Sequence, residues 1–183
     1  MPLINHKFIE HQVSSDTEIL ILGTFNHDDQ DGPDFFYGRS RTFLWHLLPQ
    51  CWNLEPLKEA DIMDKRNFME TYKIDFADLI NAIDVPEGEE ENVDDNFIDT
   101  HVIEWKDIIA LVNSLPKLNA VYFTRKTFNG ITNTKVQIMQ IAKHCQQKNI
   151  RFCKLETPAR FHSPEKQQQW IDTIVLKSTC LRP

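Results

Sequence analysis

The feature that most constrains the fold is a run of four aliphatic residues, Ile19 to Leu22, closed by Gly23. The run is too short for a helix, so we predict a strand, and because successive strand residues point to opposite faces, both faces must be buried. Such a strand belongs at the centre of a parallel sheet. A polar and aromatic segment of about twenty residues follows it. Since ligands of open α/β sheets bind beyond the carboxyl ends of the strands, we predict a functional loop at residues 23–42.

Further strands and helices follow from the periodicity of the apolar residues. The patterns predict strands at 119–124 and 150–155, and a short strand or turn leading into a helical turn at 73–83. Helical spacing of apolar residues is found at 41–50, 56–72, 100–114 and 127–147, and Ser163-Pro164-Glu165 predicts the N-terminus of a last helix. Strands separated by helices indicate an α/β fold, with a parallel sheet covered by helices on both faces.

Length and composition indicate one domain. The chain has 183 residues, of which 41% are hydrophobic, and this is ample for a single core. There is no apolar stretch of about 18 residues, and the N-terminus lacks the basic and apolar regions of a signal peptide. We therefore expect a single domain over residues 1–183, a cytoplasmic location, no membrane association and a monomer.

The net charge of −7 comes from one short segment. Residues 84–95 hold seven acids and no base, and the rest of the chain has twenty acids and twenty bases. We interpret residues 84–96 as a solvated acidic surface loop, because the segment also contains proline and glycine. An acidic mimic of DNA and a cation site remain as alternatives.

Basic residues follow each of the three predicted strands. They are Arg39 and Arg41 after the first strand, Arg125 and Lys126 after the second, and Arg160 after the third. A parallel sheet brings these segments to one edge, so a protein that is acidic as a whole still presents a cationic rim there. Such a rim suits a phosphate-bearing partner. The alternative is that these five bases fall in loops by chance.

Five segments also occur in an order and at spacings that resemble the uracil-DNA glycosylase superfamily. They are ILILGTF, then FFYGRSRTFLWHLL, then KIDFADLINAI followed by DDNFI, then VYFTRKTF, then LETPARF. The similarity spans roughly residues 6–176 and is closest to the mismatch-specific and hypoxanthine-type branch. The resemblance implies a three-layer α/β/α sandwich with a four-stranded, mainly parallel central sheet. It also implies hydrolysis, without a cofactor or metal, of the N-glycosidic bond of a deaminated base (uracil or hypoxanthine) in DNA repair.

The resemblance assigns roles to residues of three loops. The family places Asp or Asn two residues after the glycine, whereas this chain has Phe25 there and Asn26 next. The candidate catalytic residues are therefore Asn26, which would substitute if the loop is shifted, and Asp28, with Asp29 as the alternative for placing water. The residues implied to contact the base are Gly23, Thr24, Phe25, Phe36, Tyr37 and Thr42. The residues implied to contact damaged or mismatched DNA are Arg39, Arg41, Arg125, Lys126, Thr157, Pro158, Ala159 and Arg160.

Two other functions fit parts of the same pattern. A nucleic-acid or nucleotide-binding module without catalysis would keep the basic rim and the aromatic residues. A metal-dependent phosphohydrolase would use the carboxylates and imidazole of the stretch HDDQD at 27–31, because magnesium accepts carboxylate ligands.

For Asp75 and Asp78 we favour a structural role, holding a loop or capping a helix, over a catalytic role. We interpret His162 as a surface residue before the last helix, although stabilising a leaving anion remains an alternative.

Overall fold

The central sheet has four strands, all of them parallel. The structure, a computed structural model, describes residues 2–27 and 34–176. Across the sheet the strands lie in the order β3 (Ile74–Asp78), β2 (Ile19–Gly23), β6 (Ala120–Phe123) and β7 (Arg151–Lys154). The aliphatic run thus forms a central strand, and the predicted four-stranded, parallel α/β sheet is confirmed.

Successive side chains of β2 point to opposite faces of the sheet, so the core has two layers. Leu20 and Leu22 face one side of the sheet and Ile21 faces the other, and all three are fully buried. The first side is covered by α3 (Asp95–His101), α4 (Ile108–Ser114) and α5 (Thr132–Gln147). The second side is covered by α1 (Leu44–Gln50), α2 (Ile62–Tyr72) and α6 (Pro164–Ile174). The result is the three-layer α/β/α arrangement.

A second, antiparallel sheet was not predicted. Its strands lie in the order β1 (Leu3–Asn5), β4 (Ile80–Asp84) and β5 (Val102–Trp105). Only Leu79 separates β3 from β4, so the predicted helical turn after β3 is wrong. The single helix predicted over 100–114 is also wrong, because β5 interrupts it and pairs with β4. The apolar residues of 102–109 fit both a helical and an extended pattern, and the pairing with β4 decided between them.

Helix boundaries follow the capping residues. Ser163 accepts a hydrogen bond from the Lys166 backbone N–H at 3.2 Å, which confirms the predicted start of α6. Asp61 caps α2 in the same way, so that helix begins at Ile62 and not at residue 56. The N-terminus of α5 is capped by Asp99 from α3, which accepts from the Thr134 N–H at 2.7 Å. Within the described residues, no helix is long and apolar enough to cross a membrane.

Candidate functional site

A cavity of about 340 Å³ opens at the carboxyl edge of the parallel sheet. Its walls come from the segments that follow β2, β3, β6 and β7, together with the start of α3. Eleven of the sequence-predicted site residues line it: Gly23, Thr24, Phe25, Asn26, Tyr37, Arg39, Thr42, Arg125, Thr157, Pro158 and Ala159. The parallel topology therefore brings together side chains that are more than 130 residues apart in sequence, at the edge where the strand-end rule places ligands.

Backbone hydrogen bonds hold the loop after β2 in one register. The N–H of Ile80 donates to the Thr24 carbonyl at 3.1 Å, and the N–H of Lys7 donates to the Asn26 carbonyl at 2.9 Å. Between these two anchors, the Phe25 ring packs edge-on against His6, with ring centroids 5.7 Å apart. The Asn26 amide is left to point along the cavity wall.

Asp78, the last residue of β3, anchors the polar side of the wall. Its Oδ2 accepts a hydrogen bond from the Asn26 amide and lies 2.6 Å from His6 Nε2. The carboxylate packs against Gly23, where any Cβ would collide with Asp78 Oδ1 and would lie 2.8 Å from the Tyr37 hydroxyl. Gly23 is therefore required here by close approach of the two polar side chains.

Tyr37 is one of the aromatic residues that line the cavity. The Thr124 hydroxyl donates to the Leu22 carbonyl at 3.1 Å, so it accepts from the Tyr37 hydroxyl, which lies 3.1 Å away. Burial raises the pKa of Tyr37 far above its usual range, and the negative charge of Asp78 raises it further. The phenol therefore stays neutral. Its backbone has a positive φ of 55°, which bends the chain sharply between Phe36 and Gly38.

The loop after β7 is fixed to the segment before α1. The N–H of Phe43 donates to the Pro158 carbonyl at 2.7 Å, and the N–H of Arg160 donates to the Arg41 carbonyl at 2.8 Å. A buried lysine holds the loop from inside, because Lys166 Nζ donates to the carbonyls of Ala159 at 3.3 Å and Phe161 at 2.8 Å. Burial lowers the pKa of Lys166 below its usual range, while the charge of Glu156 acts in the opposite direction.

The five predicted rim bases differ in their surroundings. Arg125 forms an ion pair with Asp95, and Lys126 Nζ lies 3.2 Å from Glu156. Arg41 and Arg160 are exposed, and neither forms an ion pair with a carboxylate in the described ranges. The rim is therefore basic chiefly on the side of the loops that precede α1 and follow β7.

The acidic segment contributes two residues to the lining of the cavity. Val93 and Asp95 line it, and His27 Nε2 contacts the Glu90 carbonyl. Glu89 and Glu91 of this segment are exposed. The predicted loop at 84–96 is shorter than expected, because Asp84 ends β4, Val85 is fully buried and Asp95 begins α3.

Four of the predicted site residues that the structure describes are not among the residues that line the cavity: Phe36, Arg41, Lys126 and Arg160. Phe36 is only 3% exposed and packs against Phe8, with ring centroids 4.6 Å apart, and against Phe76 at 5.7 Å. A ring buried in the core cannot stack on a base, so the base-binding role predicted for Phe36 is withdrawn. Asp28, the second predicted catalytic residue, lies outside the described residues, as do the other three residues of the HDDQD stretch after His27.

The remaining candidates lie elsewhere. Asp75, at the other end of β3 from Asp78, accepts from the Ser14 N–H at 2.9 Å and contacts His11 Nε2 at 2.7 Å, so it holds the N-terminal lead-in. His162 packs against His46, with ring centroids 4.0 Å apart. In residues 2–27 and 34–176, no group of three or more His, Cys, Asp or Glu side chains is arranged to hold a metal ion.

Seven of the lining residues were not among the predicted site residues: His27, Asp78, Val93, Asp95, Ile98, Phe123 and Thr124. Two of them hold the polar wall together, Asp78 and Thr124, the partner of Tyr37. Both stand at the carboxyl end of a parallel strand. The rule that placed Arg125 at this edge applies equally to Asp78. It was not applied because residues 73–83 were not recognised as two strands.

The fold and site together define an α/β/α sandwich with a ligand-sized cavity at the carboxyl edge of its parallel sheet. No protein-family model matches the chain, and no curated protein matches its sequence. Among solved structures, the fold is similar to the solution NMR structure of a protein from Methanosarcina acetivorans named as a candidate uracil DNA glycosylase. The TM-score is 0.59 with 18% sequence identity, over 93% of this chain and 92% of that chain. At this identity the likeness shows a shared fold.

Proposed function

We propose that this protein is a DNA glycosylase that hydrolyses the N-glycosidic bond of a deaminated base, uracil or hypoxanthine. One observation carries the proposal. The cavity at the carboxyl edge of the sheet joins Asn26, Tyr37 and the loop Thr157–Ala159, the three segments to which the family resemblance assigns catalysis, base stacking and DNA insertion. The shared fold with a candidate uracil DNA glycosylase supports the same conclusion.

The cavity has the properties that base excision needs. An extruded base requires a face to stack on and polar groups at its edge, and Tyr37 and Thr42 line the wall as candidates for these two contacts. Asn26 donates through its amide nitrogen to Asp78, which leaves its carbonyl oxygen to accept from a water molecule. The attacking water would thus be oriented by the same wall that holds the sugar.

DNA would approach across the exposed bases beside the cavity. Arg41 and Arg160 are joined through their backbones, and Arg39 lines the cavity mouth. Between them and α6, the side chain of Phe161 is 57% exposed on a loop that the buried Lys166 holds in place. An exposed aromatic side chain on a rigid loop is suited to insert between base steps and to occupy the space of an extruded nucleotide.

Single-turnover cleavage of labelled oligonucleotides tests the proposal. Uracil, hypoxanthine or xanthine is placed in single-stranded, mismatched and paired duplex DNA, with and without chelator. Cleavage is expected first in the single-stranded and mismatched substrates, because an unpaired base costs less to extrude. Asn26→Ala should slow cleavage by about 10² or more. Asn113→Ala, which removes an exposed asparagine on α4, serves as the matched control and should cleave at the wild-type rate.

A binding module without catalysis is the second candidate, and one observation favours it. Phe25 packs against His6 at the position where the family carries its catalytic Asp or Asn. Binding to damaged DNA without cleavage of any substrate would support this candidate and contradict the glycosylase. If cleavage occurs but is unaffected by Asn26→Ala, the catalytic role moves to Asp28, which the variant Asp28→Ala tests. Cleavage lost in the presence of chelator would contradict a metal-independent reaction.

A further inference from the structure

Asp78 and Asp75 are two buried carboxylates on the same strand, and they differ in how their oxygens are used. Asp75 engages both oxygens inside the fold, because Oδ1 accepts from the Phe76 N–H at 2.8 Å and Oδ2 accepts from the Ser14 N–H at 2.9 Å. Among its contacts with described residues, Asp78 uses Oδ2, which is bonded to His6 and Asn26. For Asp78 Oδ1, no hydrogen bond from a described residue is found, and this carboxylate is part of the cavity wall.

The charge of Asp78 is not cancelled by its partners. His6 Nδ1 accepts a hydrogen bond from the Phe8 N–H at 3.1 Å, so the ring proton is on Nε2 and the imidazole is neutral. Asn26 is neutral as well. In the part of the chain that the structure describes, no lysine or arginine forms an ion pair with Asp78, although the residue is only 4% exposed. A buried carboxylate without a counter-charge is costly unless something in the cavity uses it.

We propose that Asp78 is a catalytic carboxylate of the reaction proposed above, on which this inference rests. Cleavage of an N-glycosidic bond passes through a sugar with oxocarbenium character, and a fixed negative charge stabilises it. The C1′–N bond breaks and its electron pair leaves with the base. Water, oriented by Asp78 Oδ1, forms the new C1′–O bond and gives a proton to the carboxylate, and the base anion takes up a proton from solvent. Because a carboxylate repels this anion, the sugar faces Asp78 and the base lies farther along the cavity.

His6 is the positioning residue in this arrangement. Its 2.6 Å contact with Asp78 Oδ2, together with the Asn26 amide, holds the carboxylate in one orientation, with Oδ1 packed against Gly23 in the cavity wall. The backbone N–H of Phe8 holds the imidazole in the required tautomer. Gly23 leaves room for Oδ1, since a Cβ at this position would collide with it.

The test compares Asp78→Asn with Asp75→Asn in single-turnover cleavage of a uracil-containing single strand. Each variant replaces one buried, histidine-bonded carboxylate of β3 by an isosteric amide. Asp78→Asn should slow cleavage by about 10² to 10³, whereas Asp75→Asn should stay within about twofold of wild type even if its melting temperature falls. Binding of the same strand carrying 2′-fluorodeoxyuridine, which resists cleavage, should change little in either variant.

Two further measurements separate chemistry from structure. Formate should restore part of the activity of Asp78→Ala, because it supplies the missing carboxylate, and should not restore Asn26→Ala. His6→Gln should slow cleavage by roughly tenfold, and the double variant His6→Gln/Asp78→Asn should be no slower than Asp78→Asn, because His6 acts through Asp78.

The outcomes distinguish this assignment from the proposed function. If the wild-type protein cleaves and Asp78→Asn cleaves at the same rate, the role of Asp78 is overturned, whereas the proposed glycosylase function stands. Slow cleavage by both Asp78→Asn and Asp75→Asn, without rescue by formate, also overturns it, because the loss is then structural. No cleavage by the wild-type protein on any substrate overturns the proposed function and this assignment together.

Discussion

Gly23 and Asp78 show how closely single side chains of the site depend on one another. The carboxylate occupies the space that a Cβ at Gly23 would take, and the Tyr37 hydroxyl lies on the other side of the same space. Tyr37 in turn reaches the end of β6 through Thr124. Gly23 of β2, Asp78 of β3 and Thr124, which directly follows β6, are therefore linked by direct contacts with one another or with Tyr37, which gives the cavity wall a single arrangement of its polar groups.

A prediction at the residue scale concerns His46, on α1 beside the loop that follows β7. Burial lowers the pKa of His46 below its ordinary value of 6.5, and the charges of His162 and Lys58 lower it further. The unfolded chain therefore binds the proton more readily than the folded protein, so the contribution of His46 to stability is complete above pH about 6.5 and is lost as the pH falls.

Urea unfolding at about pH 7.5 and about pH 5.5 measures this effect. The free energy of unfolding should be lower at the acidic pH, and His46→Gln should reduce the difference. His144→Gln, which changes a histidine on α5 that contacts Asn113, is the control. An unchanged pH dependence in His46→Gln would contradict the prediction.

At the scale of elements, the acidic segment and α3 act on the basic rim. Asp95, the first residue of α3, pairs with Arg125 at the cavity wall, so this arginine is available to a phosphate only when the pair opens. We expect Asp95→Asn to raise affinity for single-stranded DNA roughly two- to fivefold, the scale of one exposed ion pair. The slope of the logarithm of the binding constant against the logarithm of the salt concentration should become more negative by about one, because one further phosphate contact forms.

Fluorescence anisotropy over a range of salt concentrations measures both quantities. Glu91→Gln is the matched control, since it removes the same charge from an exposed acid of the same segment that forms no ion pair with a described base. An equal effect of the two substitutions would show that net charge, and not release of Arg125, governs binding. Arg160→Ala should act in the opposite direction and lower both the affinity and the slope.

At the scale of the molecule, two hydrophobic clusters share one sheet. Trp45 lies in the cluster on the α1, α2 and α6 side, and Trp105 packs against the cluster on the other side. Because β2 contributes side chains to both, neither layer keeps its core without the other. We expect a monomeric single domain that unfolds in one cooperative transition.

Variants that retain only Trp45 or only Trp105 report on each layer by fluorescence. Their urea midpoints should coincide with each other and with the midpoint from circular dichroism. Separate midpoints would show two independently unfolding units and contradict the single-domain prediction. Size-exclusion chromatography with light scattering on the same samples tests the monomer.

The local sequence by itself determined those strands and helices whose sequence patterns span only a few residues. The strands β2, β6 and β7 were predicted from short apolar runs, and α6 from Ser163 followed by Pro164. The alternation of strands and helices along the chain was enough to predict the parallel sheet. The rule that ligands bind at its carboxyl edge then predicted the functional loop at 23–42 and the bases after each strand, because loop positions after strands can be counted along the chain. Thr157, Pro158 and Ala159 were predicted from the family resemblance and not from this rule.

Only the tertiary structure decided the second sheet and the polar centre of the site. β4 and β5 exist through pairing with each other and with β1, and their apolar patterns also fit helices. Phe36 and Tyr37 are adjacent aromatic residues, yet one is in the core and the other lines the cavity, because the chain turns between them. Asp78 and Asp75 have the same residue type on the same strand, and they differ in the end of the strand at which they lie and in their partners. Such partners come from distant parts of the chain, so periodicity, which is a local property, carries no information about them.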